Sequence, residues 1–349
     1  MKDSLLRVKD EWLKGITFDI LVTTKCNYRC KHCFITDFGR NMSLELFSLL
    51  MSDPIFRETS AANRRRVSLS GGEIFFRRDI LNLLDLLYGT GISPSCVTNG
   101  YFINHEIATR LAELDFSVGL SLDGPKEIHD AYRNYPGAFE KVRKAMAILQ
   151  EHNVKVGVIC SVSRLNVQYI EWVIDFCIRN KVRDLRFQLV KPEGRGVELQ
   201  KQGLLLDEQE KLLLFDRIVE YSGRYISDIR IRSLGTFKSE IIDHGCKFGL
   251  NWGESCHSKS IPWPRSFGVN CVGDILPLHP YHTANFWRVG NIREGLSDVI
   301  ERYYASDVHI ELLNLLKETF EQDILSCPDE VLFEDLFLEN RVIERANKR

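Results

Sequence analysis

The feature that most constrains the fold is an alternation of short apolar runs with amphipathic helical patterns, from residue 16 to about residue 190. The apolar runs predict strands at 16–22, 66–70, 93–98, 116–122, 155–162 and 184–190. Helical patterns lie between them, near 43–51, 78–90, 104–114, 138–152 and 166–180. A strand followed by a helix, repeated in this way, predicts βαβ units and a parallel sheet. Six strands are too few for a closed eight-stranded barrel, so we expect an α/β fold with a partial (β/α)6 barrel over residues 1–195.

Chemically unusual residues follow these predicted strands. Each set lies where a strand ends: Cys26, Cys30 and Cys33; Gly71, Gly72 and Glu73; Asn99; Ser121 and Asp123; and Ser161. In a parallel sheet the carboxyl ends of the strands share one edge, and active residues gather there. We therefore expect these side chains to meet at one edge of the sheet.

Composition excludes several classes of protein. The chain has 349 residues with 46 Lys and Arg against 48 Asp and Glu, so its net charge of −2 gives no general attraction to nucleic acid or to acidic membranes. No run approaches 18 uninterrupted apolar residues, and the N-terminal residues lack the hydrophobic block of a secretory signal. We expect a cytoplasmic location, where the ten cysteines are poor candidates for disulfides.

The ten cysteines form three groups. Cys96, Cys160 and Cys177 are isolated among apolar neighbours, and we predict that they are core residues. Three others lie within eight residues, as Cys26-x3-Cys30-x2-Cys33. A structural zinc site needs four ligands, and a redox pair needs only the last two of these cysteines. Three thiolates without a nearby fourth suit a [4Fe-4S] cluster with one open iron, but the spacing alone does not choose among these sites.

The combination of motifs resembles the radical S-adenosylmethionine (SAM) family, whose hallmark is CxxxCxφC, with His32 here at the aromatic position φ. The resemblance implies a [4Fe-4S] cluster whose open iron binds the methionine part of SAM. It also implies reductive cleavage of SAM to a 5′-deoxyadenosyl radical, which abstracts a hydrogen atom from a substrate. Such chemistry requires a low-potential cluster shielded from water.

The same resemblance implies the residues that contact the cofactor. Glu73 corresponds to the family's GGE carboxylate, which binds the methionine amino group. Arg133 is a candidate to bind the carboxylate of SAM, and the alternative is that it is an ordinary surface arginine. The stretch Ser121-Leu-Asp-Gly-Pro125, followed by His129, Asp130 and Arg133, is similar to one subgroup of the family. The implied cofactor-binding set is His32, Phe34, Gly71, Gly72, Glu73, Asn99, Ser121, Asp123, Arg133 and Ser161.

The pattern changes after residue 195. Residues 196–245 predict a linker and a bridging helix that opens at Asp207, a candidate N-cap. Residues 246–349 contain a predicted hairpin with its turn near Gly273 and Asp274, and closing helices at 294–320 and 328–347. This region resembles the SPASM/twitch extensions of radical SAM enzymes, which carry auxiliary iron-sulfur clusters. It departs from them at the end of the hairpin, where the family has Pro-Cys and this chain has Pro277-Leu278-His279, and it lacks their CxxC pairs.

Three interpretations of the late cysteines therefore remain open. Cys246, Cys256, Cys271 and Cys327 are four candidate ligands of one auxiliary [4Fe-4S] cluster. The second interpretation is a set of plain structural thiols. In the third, one thiol, with Cys271 as the candidate, donates a hydrogen atom to the substrate radical, as in epimerases of the family.

The resemblance leaves the substrate and the net reaction open. We expect modification of a peptide or protein by oxidation, cross-linking or epimerisation, because the SLDGP stretch is similar to the peptide-modifying subgroup. The alternatives are the same chemistry on a sugar or aminocyclitol, and a non-catalytic iron-sulfur or zinc regulatory protein. Only 25 residues precede Cys26, so we expect no fused N-terminal peptide-recognition domain and allow for a separate one. The expected electron donor is a flavodoxin or ferredoxin.

Overall fold

The sheet that organises the molecule has ten strands. A computed structural model describes residues 16–57, 65–234, 266–277, 287–319 and 322. Its strands are β1 Thr17–Thr23, β2 Arg65–Gly71, β3 Ile92–Thr98, β4 Ser117–Ser121, β5 Lys155–Val162, β6 Asp184–Leu189, β7 Arg230–Leu234, β8 Ser266–Val269, β9 Asp274–Leu276 and β10 Gly290–Asn291. They pair in the order β10-β9-β8-β1-β2-β3-β4-β5-β6-β7. Strands β1 to β7 are parallel to one another, and β8 is parallel to β1. The pairs β8–β9 and β9–β10 are antiparallel.

All six predicted strands are confirmed, with every boundary within one residue of the prediction. The parallel sheet is nevertheless wider than the sequence predicts, because β7 joins it beside β6 and β8 joins it beside β1. No pairing in the described ranges joins β7 to β10, so this part of the chain forms an open sheet rather than a closed barrel.

Helices connect the parallel strands β1 to β7, and two more follow β10. They are α1 Leu44–Met51, α2 Ile80–Asp85, α3 His105–Glu113, α4 Lys126–Arg133, α5 Ala138–Glu151, α6 Ile170–Arg179, α7 Gly196–Lys201, α8 Glu208–Arg224, α9 Leu296–Tyr304 and α10 Asp307–Glu318. The predicted N-cap at Asp207 is confirmed, because its carboxylate accepts a hydrogen bond of 2.9 Å from the Glu210 amide in a capping box. Within the described ranges, no helix has both the length and the apolar character needed to cross a membrane.

Three helical predictions need correction. The sequence pattern did not show α4, and it treated the residues of α7 as loop; both helices are short. The predicted helix at 294–320 is instead divided into α9 and α10, with a break at Ala305 and Ser306. The predicted helix at 328–347 lies outside the described residues.

The isolated cysteines lie in the core between sheet and helices. Cys96, Cys160 and Cys177 are at most 2% exposed and belong to the main apolar cluster, which confirms the prediction. Burial raises the pKa of each of these thiols, so they behave as small apolar side chains.

The C-terminal hairpin extends the same sheet. Strands β8 and β9 pair antiparallel around a turn at Gly273, whose φ of +87° favours glycine, and this confirms the predicted hairpin. Because β8 pairs in parallel with β1, the turn of the hairpin lies at the carboxyl edge of the sheet, beside the end of β1. The predicted domain boundaries at residues 195 and 246 stay predictions.

Candidate active site

The three clustered cysteines lie in the loop after β1. Cys26, Cys30 and Cys33 pack with Tyr28 in a small apolar cluster, and the Tyr28 ring stacks on Tyr135 with ring centroids 4.4 Å apart. Burial raises the pKa of Cys26 to about 12 and also raises the pKa of Cys30. These two thiols are therefore protonated at neutral pH unless a bound metal provides the positive charge that stabilises a thiolate.

The spacing of the thiols bears on which metal group fits. The sulfur atoms of Cys26, Cys30 and Cys33 do not all lie within 4.8 Å of one another. Ligands of one tetrahedral zinc ion, with bonds of about 2.3 Å, lie about 4 Å apart. This spacing is compatible with a larger group, such as an iron-sulfur cluster.

His32 provides a second indication of a bound group. Its ring stacks on Tyr132, with centroids 4.4 Å apart. Burial, with help from the nearby Arg133 cation, lowers the pKa of His32 to about 3, so the ring is neutral. The buried Nδ1 atom has no hydrogen-bond partner among the described residues, nor does the buried hydroxyl of Tyr28. Buried polar atoms without partners are uncommon and suit a site that a ligand completes.

Two glycines bring the end of β2 against the cysteine loop. A Cβ atom on Gly71 would lie 2.4 Å from the Thr23 carbonyl oxygen, and one on Gly72 would lie 2.4 Å from the Lys25 carbonyl oxygen and 2.9 Å from Cys26 Cβ. Backbone hydrogen bonds hold this contact: the Gly72 amide donates to Thr23 at 3.0 Å, and the Glu73 amide donates to Lys25 at 2.9 Å. Glycine is required here for close approach.

Replacing Gly72 by alanine is expected to destabilise the fold by at least about 2 kcal/mol, because the new methyl group collides with backbone rather than with a flexible side chain. Gly223 in α8 is the matched control, since a Cβ there meets nothing within 4 Å. Gly223→Ala is expected to be neutral or to stabilise by up to about 1 kcal/mol. Urea unfolding of the two variants tests this, and equal stabilities would contradict it.

Glu73 is buried at this junction with its carboxylate well hydrogen-bonded. One oxygen accepts from the Thr98 hydroxyl at 2.7 Å and the Phe75 amide at 3.1 Å, and the other accepts from the Asn99 amide at 2.8 Å. Burial raises the pKa of Glu73 to about 7, although these hydrogen bonds oppose the shift. The second oxygen keeps an acceptor position for a further donor.

The raised pKa of Glu73 predicts a pH effect on stability. The folded-state value lies above the ordinary value of 4.5, so the folded protein binds this proton more tightly than the unfolded chain does. The resulting stabilisation is complete below about pH 4.5 and is lost as the pH rises through about 7. Relative to Glu73→Gln, the metal-free protein is expected to lose up to about 3 kcal/mol over this range. Urea unfolding at several pH values measures it, and parallel profiles for the two proteins would refute it.

Asn99 ties the end of β3 to the cysteine loop. Its side-chain amide donates to the Asn27 side chain at 2.9 Å and accepts from the Tyr101 amide at 2.9 Å. The structure thus places Asn99 beside both Glu73 and the loop, as the sequence predicts for residues that follow neighbouring strands.

A buried ion pair lies behind the loop. Asp123 is fully buried and binds Arg133 through both carboxylate oxygens, at 2.6 and 3.1 Å. Burial alone would raise the pKa of Asp123, but the Arg133 guanidinium and the contact with His129 hold it well below its usual range. The remaining guanidinium nitrogen of Arg133 lies 3.9 Å from Cys30 Sγ. The alternative that Arg133 is an ordinary surface arginine is therefore wrong, since its side chain is buried against the loop.

The rest of the SLDGP pattern supports this ion pair. His129 Nδ1 accepts a hydrogen bond from the Asp123 amide at 3.1 Å. Asp130 accepts from the amides of Gly137 and Phe139 at the start of α5, at 2.7 and 2.8 Å. Asn166 donates to the Asp123 and Ser161 carbonyl oxygens, both at 2.9 Å, and so joins the ends of β4 and β5.

The other predicted positions lie around the same edge. Ser121 and Ser161 are buried at the ends of β4 and β5, and the Ser161 amide donates to Asp123 at 3.0 Å. Phe34 is half-buried, and its backbone lies against Gly194. The structure therefore places Glu73, Asn99 and Arg133 against the cysteine loop, and Ser121 and Ser161 at the same edge of the sheet.

Arg195 is a member of this site that sequence reasoning missed. Its Nε donates to the Cys30 carbonyl oxygen at 2.6 Å, and its amide donates to the Cys33 carbonyl oxygen at 2.8 Å. A Cβ on Gly194 would lie 2.5 Å from the same Cys33 oxygen, so glycine is needed for the approach. The available signal was the pair of glycines that flank Arg195 shortly after β6.

Of the late cysteines, the structure describes only Cys271. Its buried thiol donates to the Leu21 carbonyl oxygen at 3.1 Å, and burial raises its pKa to about 11. Cys271 therefore lies at the carboxyl end of β1 as a neutral thiol. Cys246, Cys256 and Cys327 lie outside the described residues.

Comparison with known proteins identifies the domain. Residues 20–177 match the model of the Radical SAM superfamily. This chain carries a radical SAM domain. The matched span begins within β1 and includes the cysteine loop, the two glycines, Glu73 and the Asp123–Arg133 pair. The radical SAM domain thus builds most of the site, and Arg195 joins it from beyond the matched span.

Proteins similar to this chain include Fe-coproporphyrin III synthase of Methanosarcina barkeri, 29% identical over 204 residues, or 57% of this chain and 49% of the relative. A cysteine-type anaerobic sulfatase-maturating enzyme of Clostridium novyi is 31% identical over 180 residues, or 47% of this chain and 48% of the relative. The chain spans about half the length of these curated relatives.

A solved structure shares the radical SAM fold over a longer span. Native anSMEcpe, with bound AdoMet and a Cp18Cys peptide, superposes with a TM-score of 0.64 at 21% identity, covering 95% of this chain and 99% of that one. The likeness confirms the predicted fold class.

Proposed function

We propose that this chain is an enzyme that cleaves SAM reductively and abstracts a hydrogen atom from a peptide or protein. Cys26, Cys30 and Cys33 would hold a [4Fe-4S] cluster. When bound, the cluster and SAM supply a 5′-deoxyadenosyl radical. The observation that carries the proposal is the meeting of three thiols, a buried carboxylate at Glu73 and a buried guanidinium at Arg133 at one edge of the sheet.

The charged groups suit the two ends of the methionine part of SAM. Glu73 has an acceptor position left for the amino group, and its pKa near 7 makes it ionisable at neutral pH. Arg133 uses two nitrogens to hold Asp123, and the third, near Cys30, is the donor for the carboxylate. In this role Asp123 acts through Arg133 as a positioning residue.

The apolar surroundings suit radical chemistry. Tyr28, Tyr135 and Ala138 pack against the cysteines, and His32 and Tyr132 stack beside them. Such packing excludes water, which protects a reactive intermediate and strengthens the interactions of Glu73 and Arg133.

A peptide or protein is the substrate class that the relatives support best. One relative matures sulfatases, and the anSMEcpe structure contains a peptide. The similarity to Fe-coproporphyrin III synthase gives a second candidate, a coproporphyrin-type substrate.

The test is anaerobic reconstitution with iron and sulfide, followed by dithionite and SAM. Formation of 5′-deoxyadenosine is expected, and its absence from a cluster-loaded protein would refute the proposal. Candidate peptides and iron coproporphyrin are then compared for stimulation of 5′-deoxyadenosine and for loss of one substrate hydrogen. If only the porphyrin stimulates 5′-deoxyadenosine formation, the substrate is of the coproporphyrin type rather than a peptide.

The late cysteines need a separate experiment. We propose that Cys246, Cys256, Cys271 and Cys327 hold one auxiliary [4Fe-4S] cluster. After reconstitution, the Cys26/Cys30/Cys33→Ala triple variant is then expected to retain about four irons per chain. Near-zero iron would leave the late thiols as structural groups, or Cys271 as the hydrogen donor. The free state of all seven described cysteines fits the reducing cytoplasm in which we place the enzyme.

A further inference from the structure

The cysteine loop presents positive charge to solvent. Lys25, Arg29 and Lys31 are exposed and alternate along the loop with the cluster cysteines. None of the three forms an ion pair with a carboxylate of the described residues. These charges are not neutralised by carboxylates of this part of the fold, so they are available to bind a partner.

A cavity opens beside this loop. It has a volume of about 320 Å³, and its lining includes Lys25, Arg29, Phe38 and Phe76 together with Cys26 and Arg195. Phe38 and Phe76 are unusually exposed for phenylalanines, at 46% and 43%. The Arg195 guanidinium lies over the Phe38 ring, 5.1 Å from its centroid. The cavity is thus lined by two exposed aromatic side chains, Phe38 on the loop and Phe76 after β2, and by cationic side chains.

We propose that a docking face, formed by Lys25, Arg29, Phe38 and Phe76 around this cavity and by Lys31 on the same loop as Lys25 and Arg29, receives an acidic electron-transfer protein of the flavodoxin kind. The inference rests on the proposed function. Cations alternate with the cluster cysteines in sequence, so a partner held by them lies close to the group that it must reduce. The donor loses one electron and the cluster gains one, without any bond forming or breaking.

The character of the face agrees with this kind of partner. Electron-transfer complexes are weak and use small interfaces. Unpaired cations at the rim attract an acidic protein and raise the association rate, and exposed aromatic side chains supply the apolar contact. Because the charges are exposed, the attraction weakens as salt screens it.

The experiment follows reduction of the reconstituted protein by an acidic flavodoxin hydroquinone, using the loss of cluster absorbance in stopped flow. At an ionic strength of about 50 mM, Arg29→Glu is expected to slow reduction about tenfold, and the Arg29→Glu/Lys31→Glu pair is expected to slow it further. At about 500 mM the rates are expected to converge. Lys144→Glu is the matched control, since it reverses one exposed charge on α5 and should leave the rate unchanged.

A second reductant separates this proposal from the proposed function. Reduced methyl viologen is a small cation that needs no docking face, so it should reduce wild type and variants alike. Absence of 5′-deoxyadenosine with either reductant would refute the enzyme, whereas equal flavodoxin rates in wild type and variants would overturn the docking face. If Arg29→Glu raises the KM for a peptide and leaves the flavodoxin rate unchanged, the face belongs to the substrate. The wild-type protein provides a further test. If the rate at which flavodoxin reduces it does not depend on salt, the proposal is contradicted.

Discussion

Replacing Cys30 by alanine is expected to lower 5′-deoxyadenosine formation by more than about a hundredfold. Loss of groups that only support a metal ligand already costs about 10- to 100-fold, and Cys30 is a proposed ligand itself. It is also the most buried of the three thiols and the one that Arg133 approaches. The measurement is 5′-deoxyadenosine per chain after reconstitution, together with iron content and the absorbance of the cluster.

Cys177→Ala is the matched control for this change. Cys177 is fully buried in α6, far along the sequence from the loop, and its loss should affect stability alone. Wild-type iron content and activity are therefore expected for Cys177→Ala at temperatures where it stays folded. Retention of SAM cleavage by Cys30→Ala would show that the loop does not hold the catalytic cluster.

Replacing Asp123 by asparagine is expected to destabilise the fold by about 3–5 kcal/mol, because it leaves the buried Arg133 guanidinium without a counter-charge. The Asp123→Leu/Arg133→Met double variant removes both charges and should recover much of that loss. Urea unfolding of Asp123→Leu, of Arg133→Met and of the double variant gives the coupling between the two positions. Additive effects would mean that the pair does not contribute as a unit.

The low pKa of Asp123 gives this effect a pH dependence. A carboxyl group whose pKa is lower in the folded protein than in the unfolded chain stabilises the fold. This stabilisation is fully present above the unfolded-state pKa of about 3.9, and it is lost as the pH falls through the folded-state pKa. The cost of Asp123→Asn is therefore expected to be constant near neutral pH and to shrink in acid. Binding of SAM should weaken in Arg133→Met at every pH, since Arg133 is the proposed carboxylate donor.

Much of the fold and the site follows from local sequence patterns. The six strands from β1 to β6 are each a short apolar run with its own boundary signals, so their positions are predictable. The meeting of the cysteine loop with Gly72 and Glu73 follows from the geometry of a parallel sheet. Two adjacent glycines directly after a strand also indicate the close backbone approach that the structure shows.

The parts that were missed depend on contacts distant in sequence. Strand β7 contains arginines at alternate positions, and its pairing with β6 rather than its composition makes it a strand. Helix α4 has only eight residues, and its buried face consists of His129, Tyr132 and Arg133, two of which look like surface residues until Asp123 is seen opposite them. The contact of Arg195 with Cys30 joins residues that are 165 positions apart.

The pairing of β8 with β1 has a consequence for how the protein matures. Thr17 pairs with Ser266, and the Cys271 thiol reaches the Leu21 carbonyl oxygen across 250 positions. The strand that leads into the cysteine loop therefore gains its second neighbour only after residue 269 has left the ribosome. Contacts of such long range form late in folding. The strand that supports the iron-binding loop is therefore completed only once most of the chain has been made, so stable loading of the site should depend on the C-terminal third of the protein.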